Sequence, residues 1–288
     1  METIRNYVQD RFGTNPDTIS VSVVSDSPPL HAAGEHPEVL LLVITESEQT
    51  GITTHYIKDG IRIQERCHNP GTLERLIWHG GNYNMIHWIL QGEIVMDRNM
   101  YLEGMRSRLS EYPEELRRKE LIVEFDRFLK SFVQSKQYLQ DGHMLDAYSN
   151  ILDALRHWAR IAIIEEGYHP EVLVWAQVRR INPGVYKLYE ELTCNHESLQ
   201  KRIQLVVLAC DFSVMSKMEL CCSVLLDVLR SREEAWSLQE LMQIQELTDL
   251  ELDLSLLLGK LVRKSLIREV VESENGRPSL LLRLKYTV

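Results

Sequence analysis

VLLLVI, from Val39 to Ile44, is apolar at every position, so both alternating faces of an extended chain must be covered there. That pattern belongs to a strand in the middle of a sheet. Working outward, ISVSVV (Ile19 to Val24) alternates with period two, and HYIK (55–58), Asp59-Gly60 and IRIQER (61–66) read as strand, turn and strand. In the second arm of this hairpin Ile61, Ile63 and Glu65 share one face, whereas Arg62, Gln64 and Arg66 point the other way. SDSPPLHAAGEHP (25–37) and HNPG (68–71) punctuate the strands, and Asn69 to Thr72 can cap a helix beginning near Leu73. The N-terminal part of the chain therefore reads as α+β.

From about Tyr101 the periodicity becomes helical. Glu114 to Leu139 carries Leu121, Phe125, Phe128, Leu129 and Phe132 at helical spacing, and Leu145 to Ile164 and Leu199 to Cys210 repeat the pattern. Gly167 and Pro170 stop the second of these helices. Another helix, Met218 to Arg230, leads to a closing segment of different design. It offers a short helix at Leu238 to Leu247, a longer one at Leu250 to Lys264, and two β-like runs, Leu266 to Val271 and Leu280 to Tyr286, around a Ser-Glu-Asn-Gly-Arg-Pro loop. Three helices and a hairpin is winged-helix order. The expected domains are 1–100 (α+β), 101–215 (all-α) and 216–288 (winged helix-turn-helix).

Composition narrows the classes. With 44% apolar and 26% charged residues in a chain of 288, disorder is excluded. The formal charge of −10 disfavours non-specific nucleic-acid binding over the whole surface. No apolar run is long enough to cross a membrane and METIRNYVQD has no signal-peptide core, so the expectation is a cytoplasmic protein without membrane attachment. The five cysteines show no C-x-x-C pair and no zinc spacing, which predicts a fold organised by neither disulfides nor zinc.

Ser25-Asp26-Ser27 leaves one strand, and Glu38 leads into the buried one after an irregular stretch. Hydroxyl residues in such a turn bind phosphate, and a carboxylate opening a central strand holds Mg²⁺ against it. This order of parts resembles the nucleotidyltransferase superfamily, related to DNA polymerase β and kanamycin nucleotidyltransferase: a Gly-Ser turn, a pair of acids two apart opening a strand, and a third acid on a later strand. Farther along, ALRHWARIAIIEEGYHPEVLVWAQV, YKLYEEL, KRIQLVVLA and SKMELCC are similar to nucleotidyltransferase-like proteins of the YgxA type from Gram-positive bacteria. The resemblance covers essentially the whole chain. It implies an N-terminal nucleotidyltransferase-like domain built on a mixed sheet with helices, a helical substrate-binding-like domain and a C-terminal winged helix-turn-helix domain.

Carried over residue by residue, the motif gives Ser25 and Ser27 for the phosphate or nucleotide, and Glu38 and Glu65 as catalytic carboxylates holding the metal. The second acid of the pair falls on Leu40, which cannot ligate a metal, and Asp26 puts negative charge where a phosphate has to sit. Glu46 and Glu48 have the i, i+2 spacing but follow the apolar run, which leaves them for a rearranged site. Glu65 also reads as a strand-end carboxylate paired with a neighbouring Arg.

A second constellation comes from periodicity alone. His143, Asp146, Asn150, Asp153, His157 and Arg160 recur at steps of three and four and form one stripe on an otherwise apolar helix. Exposed faces are usually written with Lys and Glu, whereas His, Asp and Asn suit metal, sugar or phosphate. The stripe predicts a substrate cleft between the N-terminal sheet and the middle domain, faced by His143, Asp146, Asp153, His157 and Arg160. The competing readings are an ordinary exposed face, an interhelix polar network, or a metal on the His and Asp residues. Trp158, Trp175, Tyr186 and Tyr189 either stack a ring-bearing ligand or pack the bundle.

In the winged helix, acids (Asp249, Glu251, Asp253) cluster at the start of the candidate recognition helix, and Lys260, Arg263 and Lys264 come only at its end. Acids there would meet a phosphate-lined groove, so the segment predicts a protein partner or self-association ahead of DNA. Three functions remain open. One is a degenerate nucleotidyltransferase-like protein that binds a nucleotide or small ligand. Another is an active Mg²⁺-dependent nucleotidyltransferase passing a nucleoside monophosphate to a hydroxyl acceptor. The third is a winged-helix regulator. Mg²⁺ is the expected cofactor only in the second case.

Overall fold

The computed structural model describes residues 2–25, 38–48, 50–78, 82–273 and 282–288. Asp26, Ser27 and most of the Ser-Glu-Asn-Gly-Arg-Pro loop lie outside the described residues. The chain divides into two compact units, Met1–Glu114 with His169–Leu173, and Glu115–Tyr168 with Val174–Val288.

The first unit runs α1 (Glu2–Phe12), β1 (Thr18–Ser25), β2 (Val39–Thr45), β3 (Ile52–Lys58), β4 (Ile61–His68), α2 (Pro70–Trp78), α3 (Tyr83–Gln91), β5 (Glu93–Asp97) and α4 (Tyr101–Glu111). The strands form one sheet in the order β3-β4-β2-β1-β5, with β2 at its centre, as its two apolar faces require. β2 runs antiparallel to β1 and parallel to β4. Val39, Leu41 and Val43 pack with Val21, Val23 and Ile63 against Ile4, Val8 and Phe12 of α1. Leu40, Leu42 and Ile44, on the opposite face, are equally buried. The Asp-Gly turn between β3 and β4 puts both residues at positive φ, 51° and 83°, the twist that closes a two-residue hairpin. The short strand β5 and the helices α1, α3 and α4 carry no strong sequence signal of their own beyond Ile4, Val8 and Phe12 spaced four apart.

The second unit begins with two long helices, α5 (Glu114–Gln140) and α6 (Met144–Glu165), followed by α7 (Val174–Ile181), α8 (Pro183–Cys194) and α9 (Leu199–Ser213). Next come α10 (Met218–Cys221), α11 (Ser223–Arg230), β6 (Trp236–Ser237), α12 (Leu238–Leu241), α13 (Gln245–Thr248), α14 (Leu254–Arg263), β7 (Arg268–Ser273) and β8 (Leu282–Thr287). The last three strands form a small sheet in the order β6-β8-β7. The fold is thus α+β overall, with a helical middle and a helix-turn-helix end carrying a small sheet.

Local chemistry corrects three expected boundaries. The helix expected over Met218 to Arg230 is interrupted at Cys222, and that over Leu238 to Leu247 is two single turns. The long helix expected from Leu250 starts only at Leu254. Glu251 sits at φ 53°, and the Asp253 carboxylate accepts the Leu256 N–H at 3.0 Å, fixing the new N-terminus.

α5 grips the helix-turn-helix at two points. Arg118 donates to Ser223 Oγ at 3.0 Å and pairs with Asp227, both on α11. Eight residues on, the buried Asp126 accepts the Asp253 N–H at 3.1 Å, at the very start of α14, and pairs with Lys130 at 2.7 Å.

Candidate functional site

β4 carries the acid that the motif singles out, and the register decides what that acid can do. Glu65 lies beside Leu41, so it faces the α1 core, together with Ile61 and Ile63 as their shared parity predicts. There it is 6% exposed and bound on both oxygens. Arg11 approaches to 3.0 Å and Tyr56 Oη donates at 3.0 Å. Burial first, then bonds involving Tyr7 and Glu65, push the Tyr56 phenol upward. Burial and the neighbouring Glu65 carboxylate push the Cys67 thiol up to about 12.

Glu38 has the parity of Leu40, whose neighbour in β4 is Gln64. It is exposed just before β2, with its N–H donated to the Arg62 carbonyl at 2.9 Å. The register therefore does not bring Glu38 and Glu65 together: they belong to opposite faces of the sheet. Leu40 is 0% exposed and offers no oxygen. Ser25, half-buried at the end of β1, pairs with Val39 and ends the strand next to that position. These side chains do not fit a Mg²⁺ ion as a set. Among the described residues, no three of His, Cys, Asp or Glu are grouped to hold a metal ion.

The α6 stripe divides in two. His143, Asp146 and Asp153 are exposed, with Asp153 paired to Arg156 at 3.0 Å, and Asn150 donates back to the Asp146 carbonyl. His157 and Arg160 instead converge on Glu124 of α5, a carboxylate with no exposed surface. His157 Nδ1 is 2.7 Å from Oε2, and Arg127 and Arg160 reach Oε1 at 3.2 and 3.6 Å. Burial works to raise the Glu124 pKa, but His157, Arg160 and Arg127 outweigh it and hold it below its ordinary value. This half of the stripe is the interhelix polar network that the sequence left open, and its side chains are ordered by one buried acid.

Sequence reasoning missed Glu124. The signal was present, because Leu116, Glu120, Glu124, Phe128 and Phe132 form one i+4 row that sets two acids among apolar residues. Trp175 and Tyr189 stack on each other, with ring centres 4.0 Å apart.

This combination, a mixed sheet with a nucleotidyltransferase-like order of parts, a helical middle and a helix-turn-helix end, defines a class that the comparisons identify. Residues 1–117 match the nucleotidyltransferase-like family profile, 118–217 the YgxA-like substrate binding domain, and 223–288 a helix-turn-helix domain. The chain is 32% identical over 268 residues to the uncharacterized protein YgxA of Bacillus subtilis (strain 168), covering 93% of this chain and 91% of that one. It belongs to the YgxA family of nucleotidyltransferase-like proteins. The crystal structure of a nucleotidyltransferase-like protein from Exiguobacterium sibiricum 255-15 is similar over 100% of this chain and 99% of its own, with a TM-score of 0.82 and 31% identity. None of the described helices is long and apolar enough to cross a membrane.

Proposed function

We propose that this protein binds a nucleotide or another small ligand in the cytoplasm and does not transfer a nucleotidyl group. One observation carries the reading: the position of the second metal-holding acid is the fully buried Leu40, and Glu65 is turned to the opposite face and neutralised by Arg11. An in-line transfer needs its metal held by carboxylates on one face. Within the helical unit the α6 stripe offers a ligand its exposed half, His143, Asp146 and Asp153, because His157 and Arg160 are committed to Glu124. The acids at the start of α14, Asp249, Glu251 and Asp253, support reading the winged helix as a protein-contact module ahead of a DNA reader.

The test is thermal denaturation with a panel of nucleotides, with and without Mg²⁺, followed by an assay for pyrophosphate release. Stabilisation that is independent of Mg²⁺ and without pyrophosphate is the expected result. Release of pyrophosphate would overturn the reading in favour of the active enzyme.

A further inference from the structure

β4 has two faces of opposite chemistry. Ile61, Ile63, Glu65 and Cys67 belong to the face covered by α1, and Arg62, Gln64, Arg66 and His68 alternate onto the other. The register sets Arg66, Leu42 and Ser22 in one cross-strand row, and His68, Ile44 and Ser20 in the next. Trp88 of α3 covers the first row, with the Arg66 guanidinium carbon 4.7 Å from its ring centre.

This cluster has donors and no acid. Asp97, which accepts from Ser20 Oγ at 2.5 Å, is already committed to the Leu102 and Glu103 N–H groups at the start of α4. Among the described residues no carboxylate pairs with Arg66, and burial alone pulls its pKa down. Among the described residues Arg66 Nε, His68 Nδ1, Ser22 Oγ and Trp88 Nε1 are buried atoms without a hydrogen-bond partner, although Arg66 as a whole is half-buried. His68, Trp88 and Ser22 are 8%, 4% and 1% exposed. A half-buried cation beside buried polar atoms without partners leaves room for an anion that enters from solvent and completes them.

We propose that Arg66 and His68 form an anion site that takes the phosphoryl oxygens of a small ligand, with Trp88 stacking the guanidinium. A phosphoryl group brings the missing negative charge and several acceptor oxygens, and the guanidinium fork matches its geometry. The choice of a phosphoryl ligand rests on the ligand-binding reading above; the residues are ones that the superfamily motif does not contain. The oxygens can come from a nucleotide or from free pyrophosphate.

The experiment uses the full chain without Mg²⁺ and compares wild type, Arg66→Met and His68→Gln in thermal denaturation with inorganic pyrophosphate and, separately, with ATP. Pyrophosphate should raise the wild-type Tm in proportion to the logarithm of its concentration. Arg66→Met should weaken that response about tenfold or more, the worth of a hydrogen bond to a charged group. Without ligand, Arg66→Met should melt at or above the wild type, because the substitution removes an unmatched charge. A site built for structure would do the reverse, and a lower Tm with the pyrophosphate response intact overturns the proposal. So does a pyrophosphate response equal in wild type and both variants, or none at all. ATP stabilisation that survives both substitutions removes this site and leaves the ligand-binding reading standing. Pyrophosphate stabilisation lost in Arg66→Met, with no response to ATP, upholds the site and ends the nucleotide reading.

Discussion

Glu124 shows how much one side chain can decide. A carboxylate without exposed surface survives as an anion only because His157, Arg127 and Arg160 surround it. Glu124→Gln keeps the shape and removes the charge, leaving Arg127, Arg160 and the His157 imidazole without their common partner. The expected loss is about 2–4 kcal/mol near neutral pH, below the full cost of breaking a buried pair because Arg127 is partly in water. The pH dependence follows from the depressed pKa. Its contribution is fully present above the ordinary value of 4.5 and is lost as the pH falls through the lower folded value. Urea midpoints of wild type and variant should therefore differ near neutrality and converge well below pH 4.5. A gap that persists in acid would mean that the side chain matters for its packing and not for its charge.

At the scale of elements, α5, α6, α9 and the β3–β4 hairpin were legible because each repeats one period over many residues. Alternation also placed Glu65 on the face of Ile61 and Ile63 correctly. Periodicity cannot supply the register between strands, and it is the pairing of Leu41, and not Leu40, with Glu65 that separates it from Glu38. The start of α14 was misread for a related reason: Leu250, Leu254, Leu257 and Leu258 continue a helical pattern straight through Glu251, whose positive φ breaks the chain. The true start is capped locally by Asp253 and is also held by a long-range bond from Asp126 of α5, which no local reading can see. Asp126→Ala should remove it and cost about 1.5–3 kcal/mol, the value of hydrogen bonds to a charged group. Amides from Asp253 to Leu258 should then exchange with solvent about tenfold faster or more, while those of β2 in the other unit keep their protection. Unchanged exchange across α14 would show that its leucines alone hold it in place.

For the whole molecule, the helical middle and the helix-turn-helix share one compact unit even though separate family profiles match them. The physical reason is that α5 serves both: Glu124 orders α6, Asp126 holds the start of α14 two residues later, and Arg118 holds α11. Elements bonded to the buried Glu124 and Asp126 of one helix should melt together, because losing either partner leaves a desolvated carboxylate behind, and the more exposed Arg118 pair adds to this. Calorimetry of the full chain should therefore resolve two transitions, one for each compact unit. Removing residues 223–288 deprives Asp126 and Arg118 of their partners and exposes the side of α5 that they cover. The transition of the helical unit should then move to lower temperature, and that of the sheet-containing unit should stay where it was. Three transitions in the full chain, or a helical transition unmoved by the truncation, would mean that the winged helix folds as an independent module and that α5 merely touches it.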